Sequence, residues 1–124
     1  MKVFKFGGAS VKDAEAVKNM ASILKLFPGE KLVVVISAMG KTTNALERVV
    51  KAHCKQTGEA TALLNEVKQY HAEIMDALFS DTNAPVYTKV NNLFVEVEWT
   101  LEDQPREYDF VYDQIVSVGE LVST

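Results

Sequence analysis

Cysteine and histidine are scarce in this chain. Its 124 residues include one cysteine, Cys54, and two histidines. A single cysteine cannot form an internal disulfide, and one cysteine with two histidines does not give the ligand spacing of a zinc site. We therefore expect a protein of a reducing compartment, the cytoplasm, with no metal held by its own side chains. Cys54 itself is expected to be a small buried residue on a helix.

Positive charge and long apolar runs are also lacking. Lysine and arginine total 13 against 17 acidic residues, the net charge is -4, and no basic cluster occurs. This balance argues against a nucleic-acid surface, which needs a dense basic patch. The longest uninterrupted apolar run, Leu32–Ile36, is far shorter than a membrane span, and Met1–Phe6 is too short for a signal peptide. We expect neither a nucleic-acid nor a membrane partner.

The first third of the chain predicts a strand, a helix and a second strand. Val3–Phe6 alternates and is aromatic-rich, which indicates a strand, and apolar residues at helical spacing follow from residue 17 to 27. Ser10 is the expected cap of this helix, with Asp13 at capping-box spacing. The β-branched run Leu32–Ile36 predicts a strand buried on both faces, as in a parallel sheet. Together these elements form a βαβ unit.

The remainder of the chain is expected to be helical. Apolar residues at helical spacing predict helices from Thr43 or Asn44 to Gly58 and over 59–79, 85–101 and 109–124. The third of these is rich in β-branched residues, which by propensity favour a strand. The fourth reaches the last residue without a capping signal, so we expect residues 1–124 to be the truncated first part of a larger domain. His53 and His71 are expected on helix surfaces or edges, with structural roles.

The first strand ends in a segment suited to holding a phosphate, Lys5-Phe6-Gly7-Gly8-Ala9-Ser10. Adjacent glycines let the backbone approach a ligand, and their amides form an anion site together with the start of the next helix. Lys5 adds a positive charge that can lie over a transferring phosphoryl group. A tight turn with a solvent-facing lysine is the alternative interpretation of the same residues.

The second strand ends in a polar loop, Ser37–Asn44. Its Gly40-Lys41-Thr42 is similar to the end of a P-loop, but that motif requires glycine at the position of Val35, so it fails. Side chains such as Ser37 and Thr43 can contact a ligand, or the start of the helix can simply be capped by its own residues. Because ligands bind at the carboxyl ends of parallel strands, both loops can face one site.

A third candidate is Ser117-Val118-Gly119-Glu120-Leu121, inside the last predicted helix. A glycine in a helix costs about 1 kcal/mol relative to alanine, so Gly119 indicates close approach of another backbone or of a ligand. Glu120 beside it is then a candidate inward-facing carboxylate. A solvated helix glutamate is the alternative.

Three motifs resemble those of the aspartate kinases. Lys5–Val11 resembles the family's opening Lys-Phe-Gly-Gly-Thr-Ser-Val, Val33–Asn44 resembles its second strand and substrate loop, and Val116–Thr124 resembles its Ser-x-Gly-Glu-Leu-x-Ser segment. The motifs come in the family's order and spacing and span nearly the whole chain. The resemblance implies an α/β fold, the N-terminal part of the amino acid kinase (carbamate kinase-like) αβα sandwich, with a βαβ unit followed by a helical region.

The resemblance also implies a reaction, the transfer of the γ-phosphoryl group of ATP to the side-chain carboxylate of L-aspartate. The product is 4-phospho-L-aspartate, an acyl phosphate on the route to lysine, threonine, methionine and isoleucine. Catalysis would depend on positioning and on charge neutralisation by a lysine and by Mg²⁺ bound through the ATP phosphates.

Matching positions give the implied site residues. Lys5 is the catalytic lysine that contacts the ATP phosphates, and the neighbouring phosphate-binding residues are Gly7, Gly8, Ala9 and Ser10. Ser37, Thr43 and Glu120 are the residues at the aspartate. Ala9 departs from the family pattern, which has threonine there, so the hydrogen bond of that hydroxyl is lost while the backbone amide remains.

Other functions remain open at this stage. A related kinase acting on glutamate, acetylglutamate or a nucleotide is one alternative, and a non-catalytic anion-binding module is another. The family's adenine-binding half and regulatory ACT domains have no counterpart in residues 1–124, so we expect little or no activity from these residues alone. Apolar surfaces that the missing half would cover lead us to expect a homo-oligomer.

Overall fold

The computed structural model describes residues 1–124, and its first third is the predicted βαβ unit. Strand β1 is Lys2–Phe6 and strand β2 is Leu32–Ile36; helix α1, Ala14–Leu24, lies between them in sequence. The two strands pair in parallel, from Lys2 opposite Leu32 to Phe6 opposite Ile36. The strand–helix–strand prediction is therefore confirmed. The parallel register brings the carboxyl ends of both strands to one edge of the sheet.

The expectation that β2 is buried on both faces is wrong. Its side chains alternate in exposure, with Val33 42% and Val35 45% exposed while Leu32, Val34 and Ile36 are half-buried. Val3, which is paired with Val33, is also exposed. A β-branched run indicates that a strand can be covered on both faces, but among these residues only one face of the sheet is covered.

The expected cap of α1 is also wrong. Ser10 lies in a 3-10 turn, Gly8–Val11, where its amide donates to the carbonyl of Gly7 at 2.9 Å. Asp13 is the cap instead, because its backbone is extended and its Oδ1 accepts the amide of Ala16 at 2.8 Å. Ser10 and Asp13 are both good capping residues, three positions apart. Because Ser10 is part of the 3-10 turn, the helix begins after Asp13.

Five helices make up the rest of the chain. They are α2 Thr42–Cys54, α3 Ala60–Leu78, α4 Pro85–Glu102, α5 Tyr108–Val116 and α6 Val118–Ser123. The first three agree with the predicted segments, and the β-branched third segment is a helix. The predicted helix 109–124 is divided at Ser117, whose hydroxyl donates to the carbonyl of Asp113 at 2.6 Å. Such a bond competes with the helix ladder and often bends a helix.

The apolar core lies among the five helices α2 to α6, beside the sheet. Its twelve buried members are Leu46, Val49, Val50, Leu64, Val67, Val90, Phe94, Val97, Val111, Ile115, Val116 and Val118. Cys54 is half-buried against this core. Since α2 follows β2 after a short loop, the core fixes α2 and thereby the position of that loop.

Both histidines are buried, contrary to the expectation of surface or edge positions. His71 is 2% exposed and His53 is 8% exposed. Nδ1 of His71 lies 2.8 Å from the carbonyl of Val67, and its ring lies edge-on to Phe94 at 5.5 Å between centroids. Burial lowers the pKa of His71 below its usual value, and the bond to Val67 opposes this only in part. The neutral ring is therefore part of the packing of α3 against α4.

Candidate functional site

The loops after β1 and β2 are held together by a close contact between backbones at Gly8. The amide of Gly40 donates to the carbonyl of Gly8 at 3.0 Å, and the amide of Ser37 donates to the carbonyl of Phe6 at 3.0 Å. A Cβ added to Gly8 would lie 2.6 Å from the carbonyl oxygen of Gly40 and 3.1 Å from that of Ala38. Only glycine allows this approach.

Gly7 differs from Gly8 because the space beside it is open. A Cβ added to Gly7 would meet no atom within 4 Å, and its φ of -75° suits any residue. Gly7, Ala9 and Ser10 are all exposed at the end of β1. The first loop therefore presents a bare stretch of backbone to solvent on one side and is packed on the second loop on the other.

Lys5 lies on the uncovered face of the sheet. It pairs in register with Val35, and it alternates with Phe4 and Phe6, of which Phe6 is buried. The ion pairs of the molecule are Lys2–Glu30, Lys18–Glu15 and Lys68–Glu98. The ammonium group of Lys5 is therefore unpaired, and Lys5 lies two residues before Gly7.

The second loop turns sharply into α2. Gly40 has a φ of +55°, and the hydroxyl of Thr42 donates to the carbonyl of Met39 at 2.6 Å. The alternative that the start of α2 is capped by its own residues is wrong, since Lys41 is at the cap position and no side chain bonds to the helix start. The backbone amides of Thr43 and Asn44 have no backbone acceptor. Helix α2 thus begins with free amides, which attract an anion.

Helix α6 packs directly against this second loop. A Cβ added to Gly119 would lie 3.2 Å from the Cβ of Ala38 and 3.3 Å from both Leu46 Cδ1 and Thr42 Cγ2. The close approach predicted at Gly119 is present, and its partners are the loop and the first turn of α2. Glu120, the next residue, is exposed beside this contact.

The charge of Glu120 acts on a neighbouring tyrosine that the sequence did not single out. The hydroxyl of Tyr112 donates to Oε1 of Glu47 at 2.9 Å. This hydrogen bond is the main cause that raises the pKa of Tyr112; burial, the charge of Glu47, Tyr108 and the charge of Glu120 add to it. A carboxylate pair on α2 and α6 therefore flanks one phenol. Glu47 and Tyr112 are 65 residues apart, and no sequence pattern links them.

A second tyrosine, Tyr70 on α3, supports both loops. Its hydroxyl donates to the carbonyl of Lys12, and a Cβ added to Gly40 would lie 2.5 Å from its oxygen. Burial, with a smaller effect of the nearby Asp13 carboxylate, raises the pKa of Tyr70. Tyr70 therefore stays protonated and holds the end of the 3-10 turn beside Gly40. This residue too was missed, because its contact with Lys12 spans 58 residues of sequence.

The structure brings the three sequence motifs to a common place, although their polar side chains remain unpaired. Gly8 and Gly119 both contact the loop that begins at Ser37. The side chains of Lys5, Ser37, Thr43 and Glu120 make no hydrogen bond or ion pair with other protein groups. One unpaired cation, two hydroxyls and one carboxylate therefore belong to the segments that meet at this junction.

The molecule offers no cluster of three or more His, Cys, Asp or Glu residues that could hold a metal ion. No helix is both long and apolar enough to cross a membrane.

Comparison with known proteins places the fold and the motifs in context. The model of the amino acid kinase family matches residues 1–124. A relative, Aspartokinase 2, chloroplastic, of Arabidopsis thaliana, is 34% identical over 98% of this chain and 23% of its own length. Escherichia coli aspartokinase III in complex with lysine and aspartate superposes with a TM-score of 0.84 and 27% identity over 99% of this chain and 27% of that one.

The same enzyme in complex with aspartate and ADP gives the same TM-score of 0.84. The predicted α/β fold is confirmed by these similarities. The chain spans about a quarter of the length of these relatives, 23% of the plant protein and 27% of the bacterial structure.

Proposed function

Because the chain belongs to the amino acid kinase family, we propose that residues 1–124 are the N-terminal part of the catalytic domain of an aspartate kinase. The whole enzyme would transfer the γ-phosphoryl group of ATP to the side-chain carboxylate of L-aspartate and form 4-phospho-L-aspartate, the first step of lysine, threonine and methionine biosynthesis. The observation that carries this proposal is the convergence of the three motifs. Gly8 and Gly119 both pack on the loop that begins at Ser37, which supports a single site shared by the three motifs.

The ATP phosphates are assigned to the first loop. The exposed segment Gly7–Ser10 offers backbone that a phosphate can approach, and the open space beside Gly7 gives it room. Lys5 is unpaired, and its ammonium group would neutralise negative charge on the transferring phosphoryl group. A fixed positive charge lowers the barrier most where negative charge develops in the transition state. Ala9 contributes only its backbone.

L-Aspartate is assigned to the opposite side of the junction. Glu120 would accept the α-ammonium group of the substrate, since an unpaired carboxylate attracts that charge. The hydroxyls of Ser37 and Thr43 and the free amides at the start of α2 would bind its carboxylates. In this arrangement the substrate lies between a positive first loop and a negative α6, so binding also orients it.

Mg²⁺ would enter with ATP. Since no group of protein carboxylates or imidazoles is assembled to hold it, its ligands would be chiefly phosphate oxygens and water. It supplies neutralisation of phosphate charge, while the side chains of this chain bind and orient the two substrates.

Calorimetric titrations test the proposed site in these 124 residues. L-Aspartate should bind to the chain. Glu120→Gln keeps the size of the side chain but removes the charge that attracts the α-ammonium group, so it should abolish that binding. Glu107→Gln, also an exposed glutamate near the start of a helix, is the matched control and should leave the affinity unchanged. Binding of phosphate without any binding of aspartate would favour a non-catalytic anion-binding module instead.

We expect catalysis to require more of the enzyme than these 124 residues. The chain spans about a quarter of its relatives, so we expect little or no ATP- and aspartate-dependent hydroxamate formation from these residues alone. Normal turnover by the 124-residue chain would contradict this. In a longer protein that carries this segment, competition between aspartate, glutamate and acetylglutamate would separate aspartate kinase from its sister kinases.

Self-association and compartment are further parts of the proposal. The uncovered sheet face, with Val3, Val33 and Val35 exposed, supports a homo-oligomer, and a monomeric mass by light scattering at high concentration would contradict it. The cytoplasm is the compartment expected from the cysteine content, whereas the names of the plant relatives place those proteins in the chloroplast. A fluorescent fusion of the protein in its own cells would decide between the two.

A further inference from the structure

A cleft with a volume of about 600 Å³ lies between the end of the 3-10 turn, the start of α2 and the middle of α3. This volume is within the range of about 300–1,000 Å³ that is typical of small-molecule sites. The charged lining residues are Lys12, Lys41, Arg48 and Glu66, and Asn44 and Tyr70 are among the polar ones. No side chain assigned above to ATP or aspartate lines it, and the backbone amide of Asn44 is the one group that the cleft shares with the proposed aspartate site.

The lining of the cleft carries unbalanced positive charge. Lys12, Lys41 and Arg48 take part in none of the ion pairs of the molecule. Glu66 is the one acidic residue of the lining, so three positive charges and one negative charge give a formal +2. The chain as a whole has a net charge of -4, so this concentration of unpaired cations is local. Mutual repulsion of the three cations is relieved when an anion binds among them.

Backbone groups add to this positive potential. Helix α2 has 13 residues, and its first turn points toward the cleft with the amides of Thr43 and Asn44 lacking a backbone acceptor. The positive end of the helix dipole lies there as well. The Asp13 carboxylate is close enough to Tyr70 to affect its pKa, and its Oδ1 already accepts the amide of Ala16.

The wall of the cleft is built rather than loose. The hydroxyl of Tyr70 donates to the carbonyl of Lys12, which holds the backbone of Lys12 against α3. Gly40 has a φ of +55° and lies so close to Tyr70 that an added Cβ would come within 2.5 Å of its oxygen. Lys12 and Lys41 are therefore presented from two fixed segments, and Arg48 from the second turn of α2. Little ordering of backbone is needed when a ligand binds.

We propose that this cleft binds a phosphate-bearing small molecule. Arg48 can bind two phosphate oxygens with its planar group, while Lys12 and Lys41 supply point charges. Glu66 can accept a hydrogen bond from a hydroxyl or amino group on the non-phosphate part of the ligand. The occupant would lie against Gly40, whose amide bonds to Gly8, and so would stiffen the first loop.

Calorimetric titration of inorganic pyrophosphate into the 124-residue chain tests this site. We expect saturable binding that Arg48→Gln weakens about ten-fold or more, because a charge-assisted pair of hydrogen bonds is lost. Lys51→Gln is the control, because it removes the same charge from the same helix at an exposed position outside the cleft. Solvent screens exposed charges, so this variant should change the affinity by less than about two-fold. Circular dichroism should show that both variants, at exposed positions, retain the helical content.

A second pair of variants separates this cleft from the proposed ATP site. Lys12→Gln should weaken pyrophosphate binding as Arg48→Gln does, whereas Lys5→Gln should leave it in place. Loss of binding in Lys5→Gln with full binding in Arg48→Gln would overturn the cleft and support the first loop as the phosphate site. Equal weakening by Lys51→Gln and Arg48→Gln would also overturn it, since the binding would then be general attraction to positive charge. If aspartate binding fails while the Arg48-dependent binding persists, the cleft stands and the proposed function does not.

Discussion

Replacing Gly8 by alanine should separate the two loops on which the candidate site depends. The new Cβ would lie 2.6 Å from the carbonyl oxygen of Gly40 and 3.1 Å from that of Ala38. Both neighbours are backbone atoms, so no side chain can rotate away, and the loops must move apart by several tenths of an ångström. That movement stretches the 3.0 Å bond from the amide of Gly40 to the carbonyl of Gly8.

The magnitude follows from two contributions. Forcing one extra carbon into a packed contact costs typically about 1–3 kcal/mol, and the lost hydrogen bond costs about 1 kcal/mol. Gly8→Ala should therefore lower the free energy of unfolding by about 2–4 kcal/mol. Gly7→Ala is the matched control, since its Cβ meets nothing within 4 Å and its φ is -75°. It should be neutral or stabilising by up to about 1 kcal/mol, because alanine reduces the entropy of the unfolded chain.

Urea denaturation followed by circular dichroism measures both changes. If Gly8→Ala unfolds at the same urea concentration as the unmodified chain, or if Gly7→Ala is destabilised as much as Gly8→Ala, the argument from close backbone approach is refuted. The two variants also separate stability from ligand binding. Gly7→Ala should keep the fold yet weaken nucleotide affinity, because its methyl group occupies the open space assigned to phosphate.

The remaining predictions concern the helices. Burial lowers the pKa of His71, so folding favours the neutral ring. The stability that depends on the neutral ring is fully present above pH 6.5 and is lost as the pH falls from 6.5 toward the lower pKa of the folded state. Urea midpoints measured across this pH range should show the loss in the unmodified chain and not in His71→Phe. Leu46→Ala, at a fully buried core position, should cost about 2–5 kcal/mol in urea unfolding, whereas Leu26→Ala, at 72% exposure, should cost less than about 0.5 kcal/mol; similar costs would contradict the assigned core. Glu47→Gln should lower the pKa of Tyr112 in a spectrophotometric titration, because the hydrogen bond to the charged Glu47 is the main cause of the raised pKa. An unchanged titration curve would contradict that hydrogen bond.

Periodicity in the sequence was sufficient to predict the elements, and it failed where two local signals competed. The strands at 3–6 and 32–36 and the helices after them follow from spacings of two and about 3.6 residues. Ser10 and Asp13 are both good caps, and the choice between them depends on the 3-10 turn that packs the first loop on the second. The break at Ser117 coincides with the hydrogen bond from its hydroxyl to the carbonyl of Asp113, which the apolar helical pattern does not reveal.

The candidate site was predictable only in part. The motif residues could be named because they are close together in sequence, but the contacts that bring the motifs together could not. Gly8 and Gly119 contact the same loop from segments more than a hundred residues apart, and Tyr70 reaches Lys12 across 58 residues. The sequence shows that a glycine inside a helix, such as Gly119, needs an explanation, but it does not show which neighbouring residue leaves no room for a side chain. The prediction that Val33 and Val35 are buried failed for the same reason, since the burial of a strand face depends on the elements that pack against it.

The central claim is that the junction of the two loops and α6 binds L-aspartate. The most direct test is to titrate L-aspartate at millimolar concentrations into the ¹⁵N-labelled chain and follow its amide resonances. The account predicts that Ser37, Thr43 and Glu120 shift together along one saturable curve, that L-glutamate does not reproduce it, and that Glu120→Gln abolishes it. Absence of any shift at these residues, or equal shifts with L-glutamate, would contradict it.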